Sequence, residues 1–402
     1  MDSACSRYVT DRTGPRLVTI DAAGRYLYVA NWESNNLSAY IINASTGVLN
    51  PVTGSPFAAG VHPRAVTVNP TGRFVYVTNW DSANVSAYAV DPLSETLRPI
   101  DGSPFQTGDH PRNVRVASCG RFAYVANAGS GSISAFTIDL TTGDLTPVVG
   151  SPFASVRRPR AVMVDLASQF AFTVHEDASC ISAYRIDSVT GTMTPAPGSP
   201  FSTGNDPRAV TVDPTGTFAF VANQKSRTLS AYRIDRATGA LTSVAGSPFA
   251  TEEGPFCVLV HQNGEFAFVA NQQSNSLSVY RIDPLSGALT PVPGSPFATG
   301  AYPIWPTVDP SGRFLYVANY KSESISGYLI RPESGVLTPI PDSPFSTSKF
   351  PRAVTVDPSG QFAYVANEKS DSISAFRIES LTGALRSVIG SPFATGRIQR
   401  SS

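Results

Sequence analysis

Residues 74–78 (Phe74-Val75-Tyr76-Val77-Thr78) put aromatic side chains on one face and β-branched ones on the other, the two-residue alternation of a strand buried on both sides. A β-branched run, Pro63-Arg64-Ala65-Val66-Thr67-Val68, precedes it and ends in Asn69-Pro70-Thr71-Gly72. That tetrapeptide reads as a type I turn, with a short polar side chain first, proline presetting φ second and glycine last. A polar loop from Asn79 to Asn84 leads to a third run, Val85-Ser86-Ala87-Tyr88-Ala89-Val90. The next hairpin usually carries Thr-Gly or Ser-Gly, as at Thr142-Gly143 and Ser286-Gly287. A fourth strand follows, for example Leu289-Thr290-Pro291-Val292, and its proline places it at a sheet edge.

The same four-strand pattern returns every 48 residues. Tyr28-Val29-Ala30-Asn31, Tyr76-Val77-Thr78-Asn79 and Tyr124-Val125-Ala126-Asn127 share one slot, which later copies fill with segments ending at His175, Asn223, Asn271, Asn319 and Asn367. A second marker, Gly54-Ser55-Pro56-Phe57, keeps the same step through Gly390-Ser391-Pro392-Phe393, and only Asp342 replaces its glycine. Four-stranded antiparallel units that are apolar on both faces cannot bury themselves alone. Set radially, each covers the next. The expected fold is therefore all-β, an eight-bladed propeller of four-stranded antiparallel blades with a 48-residue repeat. Residues 14–402 form the single propeller domain, and residues 1–13 precede it, with 5–12 available to help close the ring. Closure is expected face to face between blades one and eight, without a fully swapped strand.

Composition narrows the partners. Lys+Arg and Asp+Glu number 30 each, for a net charge of zero, which supports neither nucleic acid nor an anionic membrane as a partner. No apolar run approaches the ~20 residues that span a bilayer, so membrane insertion is not expected. Cys5, Cys119, Cys180 and Cys257 lack metal-type spacing and read as free thiols or small core fillers. The Asp-Pro-(Ser/Thr)-Gly turns at Asp213, Asp309 and Asp357 lie in separate copies and cap turns, so neither a metal nor another cofactor is expected. The N-terminus has no signal-peptide pattern. A Ser/Thr/Gly/Pro-rich, weakly charged chain favours a secreted or cell-surface location for a monomer, with the cytoplasm as the alternative.

The Tyr-Val-(Thr/Ala)-Asn core, the preceding Pro-x-Gly-Arg-Phe (Pro70 to Phe74, Pro310 to Phe314) and the following Ser-Ala-Tyr resemble the YVTN repeat of lactonase-like propellers. That family includes 6-phosphogluconolactonase-type enzymes and carboxymuconate cyclases, together with surface-layer and secreted propellers of no assigned reaction. The resemblance covers essentially the whole chain, but its residues are blade scaffold. Family enzymes usually have seven blades, and an eighth widens the central channel.

The loop entering the innermost strand and the loop between strands two and three share one face of a propeller and surround the channel mouth. The entry carries Pro-Arg in six copies, at Arg16, Arg64, Arg112, Arg160, Arg208 and Arg352, whereas copies six and seven have Phe256 and Ile304. One reading is a partial guanidinium ring that attracts carboxylate or phosphate ligands. The other is that each arginine braces neighbouring blades through carbonyls or acids such as Glu33, Asp81 and Asp177. Blade four departs most from its siblings: His175-Glu176-Asp177 replaces the asparagine segment, Arg157-Arg158 precede Pro159, and Ser168 replaces a turn glycine. His62 and His110 stand just before their prolines, and Trp32, Trp80 and Tyr320 follow the marker asparagine. A histidine can move a proton near neutral pH, and arginines can hold a carboxylate or a developing oxyanion.

By similarity to the lactonase-like enzymes, His175 (as base), Glu176, Arg158 and Arg160 are the catalytic candidates, while Arg64, Arg112, Arg208, His62, His110 and Trp80 are the ligand-binding candidates. Ordinary drift in one blade, with His175 a hydrogen-bonded substitute for asparagine, would give the same residues. Two functions stay open at this stage. One is a lactonase-like propeller binding a small sugar- or carboxylate-derived anion and hydrolysing a lactone. The other is a non-enzymatic secreted or surface scaffold binding protein or glycan.

Overall fold

The computed structural model describes residues 14–91 and 93–396. Their strands form eight antiparallel sheets arranged as the blades of a propeller, with no helix among the described residues. Blade three shows the plan. Its innermost strand is Pro111–Val116, followed outward by Phe122–Asn127, Ser132–Ile138 and an outer strand in two pieces, Leu145–Pro147 and Phe153–Ala154. Both outer pieces pair only with the third strand, so Pro147 sits where a ladder donor is not needed. Gly150-Ser151-Pro152 lies between them, and the Ser151 hydroxyl takes the Ala135 N–H that the interruption would leave unpaired (2.9 Å).

Every residue of the second strand is buried in all eight blades, which is the burial expected of a sheet covered on both faces. The apolar core accordingly lies between blades: Phe122 and Tyr124 of blade three pack with Val162, Ala171 and Tyr184 of blade four. There are eight such clusters, one at each seam, including one that joins Val18, Leu27 and Tyr40 of blade one to Phe362 and Tyr364 of blade eight. The closing seam repeats the internal chemistry. Tyr364 donates its hydroxyl to Gly47 O (3.0 Å), as Tyr124 does to Gly191 O (3.1 Å). Gly396 N reaches Ser38 Oγ (3.1 Å), as Gly300 N reaches Ser326 Oγ (3.2 Å). Among the described residues closure is therefore face to face with no strand exchanged; the segment 5–12 and Cys5 lie outside them.

The far-side turns are capped as their sequence implies. Asp309 Oδ1 accepts Arg313 N (2.9 Å) and Phe314 N (2.7 Å), and Gly312 closes the turn at φ 77°. His261 replaces the aspartate in blade six and bonds Asn263 and the Gly312 carbonyl (2.8 Å) of the next blade, a scaffold role. Cys180 and Cys257 are buried free thiols, and Cys119 is an exposed one.

Candidate functional site at the channel mouth

The arginines reach the axis because the innermost strand of every blade but the seventh carries a β-bulge just after its first proline. Proline removes a ladder donor there, and an extra residue inserted against the second strand re-aims its side chain. The register slips across Arg16, Arg64, Arg112 and Arg208 in blades one, two, three and five. In blades four and eight the slip spans Arg160-Ala161 and Arg352-Ala353. Phe256 takes the bulge in blade six. In blade seven the bulge moves one residue on, so Trp305 rather than Ile304 takes the arginine's place.

The slot after the marker asparagine supplies the counter-charges. Glu176 of blade four is almost buried, and its Oε1 receives Arg208 Nη1 (3.0 Å), Arg112 Nη2 (3.2 Å) and Arg160 Nη1. Arg158 Nη2 stands 3.8 Å from its other oxygen and also pairs with Asp177 (3.1 Å). Four blades away, Glu368 occupies the same slot, accepting Arg352 Nη1 (2.8 Å) and the Tyr320 hydroxyl (2.9 Å), with Arg16 Nε at 3.8 Å. Asp206 pairs with Arg208 (2.9 Å), and Gln224 bonds Gln272 across the seam of blades five and six (3.2 Å). Burial, reinforced by Arg112, Arg208 and Arg352, holds the Arg160 guanidinium well below its ordinary range against the opposing pull of Asp206. Bracing and ligand attraction are thus not exclusive: among the described residues the braces are Glu176, Glu368 and Asp206, and of the acids expected from sequence Asp177 contributes, to Arg158.

His175 is placed differently from its neighbours. It is wholly buried on the second strand, with Nε2 2.9 Å from Ser182 Oγ. Its siblings make the same link through an amide, as Asn127 Nδ2 does to Ser134 Oγ (2.9 Å). Burial lowers the imidazole pKa to about 4, against the backbone of Arg157 and Val156. The ring therefore presents no surface from which to activate a water on the axis, and the base role expected from sequence is not available in this geometry.

The remaining candidates form a second group on blades one to three. His62 stacks on Trp32 (4.6 Å between centroids, 9° between planes) and pairs through Nδ1 with Asp81. His110 lies against Trp80 (4.8 Å), and Arg64 covers the Trp80 ring at 4.8 Å. Trp80, His110, the loop Ala128–Gly131 and Arg157-Arg158 line a cavity of about 490 Å³. His62, His110 and Arg158 hold φ of 56°, 53° and 52°, a conformation costing on the order of 1 kcal/mol or more for a side-chain-bearing residue. Asp206, Tyr302 and Phe350 share this pre-proline slot at φ 59°, 61° and 57°, so six of the eight copies forgo the easier glycine for a side chain at the rim.

Sequence reasoning missed Glu368, Gln272, Asp206 and Trp305. The slot after the marker asparagine runs Trp, Trp, Ala, Glu, Gln, Gln, Tyr, Glu around the ring while its flanks repeat. That variation inside an otherwise periodic strand-loop-strand unit was the available signal for Glu368 and Gln272.

A closed all-β ring with a charged, side-chain-diverse axial mouth defines the class. The chain belongs to the lactonase, 7-bladed beta-propeller family, whose profile matches residues 3–108, 95–200, 198–260 and 306–396; this member has eight blades. No curated protein matches the sequence significantly. Among solved structures, a provisional 6-phosphogluconolactonase of Bacteroides fragilis is similar at 21% identity and TM-score 0.63, covering 80% of this chain and 95% of that one. The periplasmic gluconolactonase of Pseudomonas aeruginosa is similar at 22% identity and TM-score 0.60, covering 80% and 96%. Sqt1 of Chaetomium thermophilum, solved bound to the N-terminus of a ribosomal protein, is similar at 14% identity and TM-score 0.67, covering 88% and 94%. At these identities the likeness is one of fold.

Proposed function

We propose that the protein binds a small sugar- or carboxylate-derived anion on the propeller axis, and that opening of a lactone to its carboxylate is the reaction this mouth would serve. The observation that carries the reading is the convergence at Glu176, where the guanidinium groups of Arg112, Arg160 and Arg208 meet at one carboxylate oxygen. A second anion placed among them would relieve repulsion between cations that are already oriented and largely dehydrated. Membership of the lactonase propeller family and the gluconolactonase neighbours support the same ligand class. Arg112 and Arg208 would hold the carboxylate, and Glu176 would position the arginines.

The test is calorimetric titration with gluconate and 6-phosphogluconate beside the double variant Arg112→Gln/Arg208→Gln. Saturable binding that the variant loses supports the site, and the absence of binding by wild type overturns it. A second reading, a non-enzymatic binder of protein or glycan at this face, is favoured by the burial of His175. A lactone panel followed by pH-stat separates the two: anion binding without turnover selects the binder.

A further inference from the structure

The bulge positions that carry arginine in six blades carry Phe256 and Trp305 in blades six and seven, which are adjacent. Trp305 stands where blades two, four, five and eight have Ala65, Ala161, Ala209 and Ala353. It holds φ 43° and leaves 40% of its surface exposed, and for a residue of an innermost strand the open side is the channel. A tryptophan filling space would be buried. One kept in the left-handed region and facing the lumen bears a backbone cost without a packing gain. Phe256 meets it edge to face, with centroids 6.0 Å apart at 83°. Arg160 closes the gap between the two sectors, its guanidinium carbon 5.1 Å from the Phe256 centroid. A cationic sector and an aromatic sector are therefore in contact across the mouth.

We propose that the anion taken here is an aromatic carboxylate, its carboxylate toward Arg112, Arg160 and Arg208 and its ring against Phe256 and Trp305. This rests on the axial anion site proposed above and narrows its ligand class. An aromatic ring gains from stacking and from leaving water, and the arginines supply the charged half of the match. A polyol acid uses only the charged half.

The experiment is calorimetric titration of the full chain with 2-naphthoate and, separately, gluconate, on wild type, Trp305→Ala and Phe256→Arg. Both variants restore residue types that sibling blades carry, and thermal unfolding checks their fold. Wild type is expected to bind naphthoate about tenfold or more tighter than gluconate, with Trp305→Ala removing most of that preference and leaving gluconate affinity unchanged. Phe256→Arg should lose the preference as well. Gluconate binding as tightly as naphthoate, or a preference that survives both substitutions, overturns the aromatic assignment while leaving the axial anion site standing. Neither ligand binding overturns both.

Discussion

His175 Nε2 lies 2.9 Å from Ser182 Oγ, a link that the asparagine amide makes in sibling blades. An imidazole reproduces the bond but adds a group that can take a proton in the acid range. With its pKa lowered to about 4 by burial, the folded chain protonates this ring later than the unfolded chain does at about 6.5. Between those values the unfolded state binds more protons, so this contribution to stability is complete above about pH 6.5 and disappears as pH falls to 4. The share at stake is roughly 3 kcal/mol. His175→Asn should leave stability at pH 7 close to wild type and remove that part of the acid sensitivity, read as the difference in urea unfolding midpoints between pH 7 and pH 4. An unchanged acid profile would refute it.

Glu176→Gln leaves three guanidinium groups around a neutral amide. Removing one partner of a buried pair costs about 3–5 kcal/mol, so the variant should unfold at lower temperature than wild type. Because the lost group is a negative charge on the axis, sulfate should restore more stability to the variant than to wild type when compared with chloride at equal ionic strength. The wild-type comparison removes the general stabilising action of sulfate. Equal sulfate responses in the two proteins would mean that the arginines do not form an anion site. Glu368→Gln, with Arg352 and Arg16 as its cations, provides the same comparison four blades away.

The features that were legible in the sequence are those that the fold repeats. The Tyr124 and Gly150 slots, the turn residues and the edge proline recur because every seam requires the same packing and the same bonds, and that repetition is a record of geometry. The mouth is the reverse, since its residues are the ones freed from the repeat. Glu176 stood out because His175 beside it broke the pattern. Glu368 did not, since Asn367 before it kept the pattern intact. Trp305 was hidden for another reason. Pro306 replaces a valine such as Val66 or Val258, and the bulge is found one residue further along the strand. Strand register depends on three-dimensional pairing, so the aligned residue Ile304 was read as the arginine's counterpart. His175 stood in the sequence between a base and a hydrogen-bonded substitute for asparagine, because sequence shows which residue fills a slot, not how deeply the slot is buried; the structure bears out the substitute.

Ring closure by a seam like the others can be measured. Tyr364→Phe removes the hydroxyl that reaches Gly47 across the closing seam, and Tyr124→Phe removes its counterpart to Gly191. Phe172, Phe220 and Phe268 already occupy this slot in blades four to six, so the ring shape is tolerated and only the hydrogen bond is lost. Each variant should lose about 1 kcal/mol, and the two losses should agree. A much larger loss for Tyr364→Phe would show the closing seam to be the weak point of the ring.

The cavity beside Trp80 and His110 offers a competing place for a ligand, and Gly131 decides between it and the axis. Blade three has Ala128, Gly129 and Gly131 where other blades carry larger side chains, and this opens the cavity. In blades one and six the slot of Gly131 holds Asn35 and Asn275, at φ 52° and 54°, whose side-chain oxygens accept the backbone N–H of His62 and Tyr302 (both 2.9 Å). Gly131 shares this conformation at φ 61°, and a Cβ there would meet nothing nearer than 3.7 Å. Gly131→Asn should therefore leave stability close to wild type, the cost of about 1 kcal/mol for a side chain in this conformation being offset by a less flexible unfolded chain and a new bond to the Arg158 N–H. It also narrows the cavity without touching the axial arginines. Thermal unfolding reads the first effect, and titration with the axial anion reads the second. Unchanged affinity in a protein of near wild-type stability is the expected result, whereas a tenfold loss of affinity would move the ligand from the axis to the cavity between blades three and four.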